Sequence, residues 1–319
     1  MALTYTQLTA ITEKLYIPRL VEQVYEDSAI LMRMMKGENF KLKTGGTQIL
    51  APIVSSKPTI GGFYEDLDEL DNSASDNITS AAYDWKQIYE PVRISRADIL
   101  KNSGDAQKLS LIESKMSIAE TNIRENMSLG LYSDGTAGTG AGTTKQFTGF
   151  AAILSSSSTL GGIAVADLAE WIATVKNNSG TNRALSLNLM QQTDNAARYQ
   201  GAKPTMLTCD KDVYDQIWAL YQPHQRIFNE QMGKLGFTDV LEFNGKPIIV
   251  DEHASANQLL FIDEKNTYFC MHRDENMRVE TLERLETSNS MLSRIFSMGN
   301  LICHSRRSNG LLDDIEVAS

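Results

Sequence analysis

Between Pro58 and Trp85 the chain carries seven acids, Glu65, Asp66, Asp68, Glu69, Asp71, Asp76 and Asp84, and neither lysine nor arginine. Pro58, Gly61, Gly62 and Ser/Asn-rich stretches punctuate the same window. Its core-forming side chains are few, and a connection this long is unusual inside a compact domain. Two readings fit: the window is disordered, or another chain orders it. Its flanks are strand-like. Gly45-Gly46 opens the run TQILAPIV. On the far side YDWKQIYEPVRIS alternates, with Ile88, Glu90, Val92 and Ile94 on one face and Trp85, Gln87 and Tyr89 on the other. The whole reads as one long β-hairpin with an acidic outer part.

The remaining segments are ordinary by comparison. Residues 4 to 36 carry Ile11, Leu15, Leu20, Val21, Val24, Leu31, Met34 and Met35 at roughly helical spacing, in two pieces, with Pro18 in the first turn of the second. This is either an N-terminal core helix or an arm packed on a neighbour. Asp105 is placed to cap a helix over residues 106 to 132. There Leu109, Ile112, Met116, Ala119, Ile123 and Met127 form a single apolar stripe. A helix is expected around AVADLAEWIATVKNN, and another over much of RALSLNLMQQTDNAARYQ. KPTMLTCDKDVYDQIWALYQ reads as a strand running into a helix, with Asp210 as its cap. A polar stretch, residues 222 to 240, follows. FNGKPIIVDEHASANQLLFID is strand, turn, strand, and NTYFCMH, MRVETLER and MLSRIFSMGNLICHSR are further strands. Helices and antiparallel-looking strands alternate without βαβ regularity, which is the α+β class.

Composition excludes several roles. The chain has 319 residues, a net charge of -10 and a pI near 5.0. Proteins that grip nucleic acid by its backbone usually show a basic face, and none is evident. No apolar run approaches the ~20 residues that span a bilayer. The opening residues have no basic region followed by an apolar block, so no secretory signal is expected. Cys209, Cys270 and Cys303 are odd in number and widely spread, and read as reduced, mostly buried thiols.

Candidate chemistry is sparse. SDGTAGTGAGTTK is Gly-rich, but it follows a helix and lacks the Gly-Lys of a phosphate-binding loop, so a surface loop is expected. Cys270-x-His272 and Cys303-His304 are spaced too tightly for a structural zinc site. The acids 65 to 71 lack the pattern of a calcium loop. In VDEHAS, Asp251 and His253 share one side of an extended chain and Glu252 the other. A catalytic triple there needs a partner and a pocket, whereas a turn needs neither. No residue is assigned a catalytic, cofactor-binding or metal-binding role, and no cofactor is expected.

The order of segments carries a resemblance. GGTQILAP before the hairpin, WKQIYEPVRISRADILKNSGD entering the long helix, FNGKPIIVDEHASANQLLFID and the closing MGNLICHSRRSN are together similar to the major capsid proteins of tailed bacteriophages with the Hong Kong 97-type fold. The likeness runs through nearly the whole chain. It implies an N-terminal arm, 1–42, and an extended β-hairpin loop, 43–95. A peripheral domain, 96–164, would hold the spine helix 106–132. An axial domain would cover 165–263, and 264–319 would return strands to the peripheral domain. It also implies self-assembly through hexamers and pentamers into an icosahedral shell around double-stranded DNA. The subunit would be made in the host bacterial cytoplasm and would end in the virion. With the arm starting almost at Met1, a separate scaffolding protein is expected, together with a portal. Packaged DNA is expected to touch the acidic subunit only weakly and non-specifically. Some members cross-link through a hairpin Lys; Lys57 lies near such a region, and cross-linking is not expected here. Glu65, Asp66, Asp68, Glu69 and Asp71 are the candidate intersubunit contacts. The alternatives are an encapsulin-like nanocompartment shell protein and a soluble enzyme using Asp251, Glu252 and His253 or the Cys270/His272 and Cys303/His304 strands.

Overall fold

The structure, a computed structural model, describes residues 29–35, 39–55, 63, 65, 66, 77–101, 105–136, 145–222, 241–285 and 287–317. Most of the expected N-terminal arm therefore lies outside the described residues, as do Asp68, Glu69, Asp71, the centre of the Gly-rich loop and nearly all of 222–240.

Two mixed sheets and a separate two-stranded ribbon make up the β-structure. The chain enters through helix α1 (Ala29–Met35), whose Ile30, Leu31 and Met34 are fully buried. Arg33 fixes this helix by an ion pair to Glu264, so the last turns before residue 36 belong to the body's own core. Strand β1 (Phe40–Lys43) follows, then β2 (Gln48–Val54) and β3 (Ile78–Asp84), which pair antiparallel over seven positions as the ribbon.

The first sheet is organised by one long strand. It contains β4 (Lys86–Ser95), β10 (Thr267–His272), β11 (Arg278–Val279), β12 (Glu283–Arg284) and β13 (Ser290–Cys303), besides β1. Along one edge of β13 runs β4, paired over ten residues. Its other edge takes β10, β11 and β12 in turn. The hairpin's return strand thus ends at Asp84. The run from Lys86 onward, read in sequence as part of the hairpin, is instead a sheet strand, because Val92 and Ile94 are needed in the main core.

After the short helix α2 (Arg96–Lys101) comes α3 (Asp105–Tyr132), at 28 residues about 40 Å long. Ile112, Met116, Ala119, Ile123, Met127 and Leu131 are all buried, so the predicted one-sided stripe faces the core. The helix begins at Asp105 itself. Helix α4 (Phe150–Ile153) follows, with Gly149 lying so close to Leu131 that a Cβ would sit 2.3 Å from its carbonyl oxygen.

The second sheet has the order β5-β14-β9-β6-β8-β7. Its strands are β5 (Thr174–Lys176), β6 (Met206–Cys209), β7 (Glu242–Phe243), β8 (Lys246–Val250), β9 (Leu259–Ile262) and β14 (Gly310–Leu312). Helices α5 (Leu187–Ala196) and α6 (Lys211–Tyr221) pack on it around a second core that includes Met190, Leu207, Val213, Ile217 and Phe261. Both are capped locally: Ser186 accepts from the Leu189 amide, and Asp210 accepts from Lys211 as its sequence position predicts. Asp194 ties α5 to β8. Burial alone would raise this carboxyl, but hydrogen bonds from Lys246 and Arg198 hold it below the usual carboxylate range.

Two expectations need correction here. The helix expected around 164–178 does not form. That stretch is turns followed by β5, because Trp171 and Ala173 are drawn into the main core and Thr174–Lys176 pairs parallel with β14. Its local helical composition loses to a partner more than a hundred residues away. The C-terminal strand also departs: Gly310–Leu312 joins the second sheet, between β5 and β9, rather than returning to the first.

Candidate assembly interface

The ribbon β2–β3 carries large apolar side chains on both faces. Ile49, Ala51, Ile53, Ala81 and Tyr83 are buried against the main core. Opposite them Leu50, Val54 and Ile78 are 57%, 67% and 71% exposed, and Val54 and Ile78 are direct cross-strand partners. A two-stranded sheet with one face seated on the body normally shows alternation, apolar inward and polar outward. Here the outward face carries Leu50, Pro52, Val54, Ile78 and Ala82 beside the polar Gln48, Ser80 and Asp84, so its outer end, around Val54 and Ile78, presents apolar surface suited to burial. The sequence signal was available in QILAPIV, which is apolar at six consecutive positions rather than at alternate ones.

The root of the ribbon is held firmly. The Tyr83 hydroxyl donates to the Cys303 carbonyl at 3.0 Å and accepts from the Cys303 amide at 3.3 Å. Burial, reinforced by the neighbouring Cys303, pushes the Tyr83 phenol well above its ordinary value, which keeps it a neutral donor. The Ala82 amide donates to the Gly161 carbonyl at 2.8 Å, and Asn300 Nδ2 donates to the Asp84 carbonyl at 2.9 Å. A Cβ on Gly161 would sit 2.5 Å from that of Ala81, so the turn at 161–162 can approach only as glycine.

Of the acids singled out in sequence, Glu65 and Asp66 are exposed, and Phe63 beside them is fully exposed. Asp68, Glu69 and Asp71 lie outside the described residues. A further surface lies between β4 and α3. There a groove of about 260 Å³ is lined by Gln87, Tyr89, Asn126, Gly130, Lys145 and Gln146, with exposed Leu129 beside it on the helix.

VDEHAS is a turn. Asp251 donates its amide to the Cys209 carbonyl, its own carbonyl accepts from the Ala254 amide, and its Oδ1 accepts from the His253 amide at 2.9 Å. Asp251 points into the body, where burial and this neighbouring carboxylate raise the Tyr132 phenol, while Glu252 is exposed. The three candidate groups do not converge on a common point. The Cys/His pairs do not converge either. Cys209, Cys270 and Cys303 are buried free thiols, and burial pushes Cys209 and Cys303 up to about 12, far from a reactive thiolate. The His272 and His304 rings are engaged with backbone groups and Tyr268. Among the described residues no group of three or more His, Cys, Asp or Glu could hold a metal ion. No described helix is long and apolar enough to cross a membrane.

A long helix packed on a sheet built on one central strand, a second mixed sheet with two helices, and a ribbon seated on the main core make a fold that this chain shares with capsid-shell proteins. The particular structures it matches run along nearly all of the chain. The capsid asymmetric unit of cyanophage A-1(L) aligns with a TM-score of 0.68 at 16% identity, covering 90% of this chain and 93% of that one. A chain of Mycobacterium phage Bobi aligns with a TM-score of 0.57 at 9% identity, over 98% and 99%. The holo-SrpI encapsulin complex from Synechococcus elongatus gives 0.51 at 10% identity, over 88% and 86%. No family model matches the chain, and no curated protein matches it by sequence. The α+β fold expected from the resemblance is thus the one observed.

Proposed function

We propose that this chain is a structural subunit that self-assembles into the icosahedral shell of a tailed bacteriophage, enclosing double-stranded DNA. The observation that carries the reading is the ribbon, seated on its own body by one face while Leu50, Val54 and Ile78 stay exposed on the other. Clustered apolar side chains exposed on such an element are a liability for a lone subunit and an asset for a repeating assembly. The partner is another copy, arranged in hexamers and pentamers. Glu65, Asp66, Asp68, Glu69 and Asp71 are the intersubunit contacts in this reading.

In this reading the layout follows the capsid fold: arm, extended loop, peripheral domain on α3 and the β13 sheet, and axial domain on the second sheet. A scaffolding protein and a portal complete the assembly in the host cytoplasm, and the product is the virion. The net charge of -10 suits a wall that DNA slides past without sticking. The convergence of no acid, base and nucleophile at VDEHAS supports a structural rather than an enzymatic role. The encapsulin match supports a second reading, a nanocompartment shell around protein cargo. Nuclease-resistant DNA inside purified particles supports the virus; a packed enzyme in its place supports the nanocompartment.

The ribbon offers the direct test. Replacing Leu50, Val54 and Ile78 together by Ser should leave a folded subunit, because these side chains face away from the body. On a sizing column it should run as single subunits where the unaltered chain runs as assemblies of many copies. Unchanged assembly by the triple variant would refute the role given to this face.

A further inference from the structure

Arg93 lies on β4 between the buried Val92 and Ile94, so its side chain leaves by the other face of the sheet, where it is exposed. There a pocket of about 330 Å³ is lined by Arg93, Ser95, Asp98, Ser288, Asn289 and Ser290. Two serines seat the guanidinium. Arg93 Nε donates to Ser290 Oγ at 3.0 Å, Nη2 donates to Ser288 Oγ at 2.9 Å, and the two hydroxyl oxygens stand 2.7 Å apart. These bonds use one edge of the planar fork.

The other edge, Nη1 with the second hydrogen of Nη2, has the geometry that takes a carboxylate end-on through two parallel hydrogen bonds. Among the described residues no carboxylate, Asp98 in the pocket lining included, bonds to Arg93. The neighbouring arginines on this face differ: Arg278 is paired with Glu275 and Arg294 with Glu280. From Pro91 to Lys101 the chain carries Arg93, Arg96 and Lys101 against Asp98 alone, in a protein whose net charge is -10. The pocket is a locally basic site suited to an acid. The acid-rich partner with the opposite bias is the segment between Pro58 and Trp85, which holds seven acids and no lysine or arginine.

That segment does not reach the Arg93 of its own chain. Arg93 is the register partner of Leu292, near the start of β13, and Lys86 that of Gly299. The ribbon lies at the other end, where Tyr83 meets Cys303 and the Pro52 carbonyl meets the His304 ring. Counted along β3 and β4 at about 3.3 Å per residue, Ile78 is on the order of 50 Å from Arg93. Asp66 stands 12 residues from both Val54 and Ile78, a reach of about 40 Å at full stretch. A basic site toward one end of the β3–β4 line and an acidic segment joined to the other make a head-to-tail pair. Such a contact repeats from copy to copy and closes into a ring when the rotation allows.

We propose that the Arg93 pocket receives a carboxylate from the acidic segment 65–71 of a second copy, held end-on by the guanidinium whose other edge the two serines fix. The assignment rests on the shell reading and deepens it, because it names the surface that those acids meet.

Charge reversal in the full-length chain tests it, with assembly read on a sizing column. Arg93→Glu should raise the concentration needed for assembly by about tenfold or more, because a like charge then faces the acids. Glu65→Lys, Asp66→Lys and Asp68→Lys made together should do the same, and joining them to Arg93→Glu should recover much of the loss. An Arg93→Glu chain that assembles like the unaltered one overturns the inference, as does a combined variant no better than either parent. Should Arg93→Glu not fold, Arg93→Lys keeps the charge and supplies an amine. Carbodiimide treatment of its assemblies, mixed from plain and isotope-labelled chains, should join position 93 to an acid of residues 65–71 on another copy; peptide maps without that link overturn the inference equally. Assembly by the unaltered chain together with indifference to Arg93 sinks this inference alone, whereas no assembly at all sinks the shell reading with it.

Discussion

Arg306 has no exposed surface, and among the described residues no carboxylate pairs with it. Its five guanidinium N–H donors instead face six acceptors, with one donor shared: the carbonyls of Ala152, Ile153, Ser155, Ser158 and Trp171, and Ser158 Oγ. Those carbonyls come from the end of α4 and the turns after it, where no helix partner would satisfy them. One side chain thus shapes residues 150 to 171, which carry Gly161 and so the seat of the ribbon. A lysine has the charge but a single donor centre in place of the planar fork. Arg306→Lys should cost about 3 kcal/mol by leaving several of these carbonyls unpaired. A denaturant midpoint shift measures this directly; a change within about 0.5 kcal/mol, typical of surface substitutions, would contradict it. In the sequence Arg306 is one of two adjacent arginines in a polar run, and nothing local distinguishes it from Arg307, which lies over the Tyr199 ring.

At the scale of elements, the ribbon is seated by backbone contacts that tolerate no extra atom. Gly161 combines a φ of +59° with a close approach to Ala81. Gly161→Ala must therefore push the ribbon off its turn, weakening the Ala82 to Gly161 hydrogen bond, at a cost of about 1–3 kcal/mol. A lowered Tm with faster exchange confined to β2 and β3 is the expected signature; an unshifted Tm would argue against this seat. Much of this level was legible in the sequence. The spacing of Ile112, Met116, Ala119, Ile123 and Met127 gave α3, and Asp210 marked the start of α6. What stayed hidden depends on distant partners. Residues 86–95 look like a hairpin strand until β13, some two hundred positions later, takes Val92 and Ile94. Residues 174–176 look helical until β14 arrives from the C-terminus. The outer ribbon face is legible in QILAPIV only once the inward positions Ile49, Ala51 and Ile53 are known to be buried.

For the whole molecule, the two cores divide the labour. The main core binds α1, α3, the ribbon base and the β13 sheet into one body. The second core joins α5 and α6 to a sheet in which β14, from the far end of the chain, lies between β5 and β9. Apolar surface is displayed on the outer face of the ribbon, at Leu50, Val54 and Ile78. VDEHAS, the strongest chemical candidate in sequence, is a turn whose carboxylate serves its own backbone. In the proposed function the apolar ribbon surface meets copies of the same chain. Electron microscopy of the purified full-length protein tests that role most directly. Closed shells, or the rings and tubes of incomplete ones, are the predicted result; particles that remain single subunits at every concentration and salt condition would contradict it.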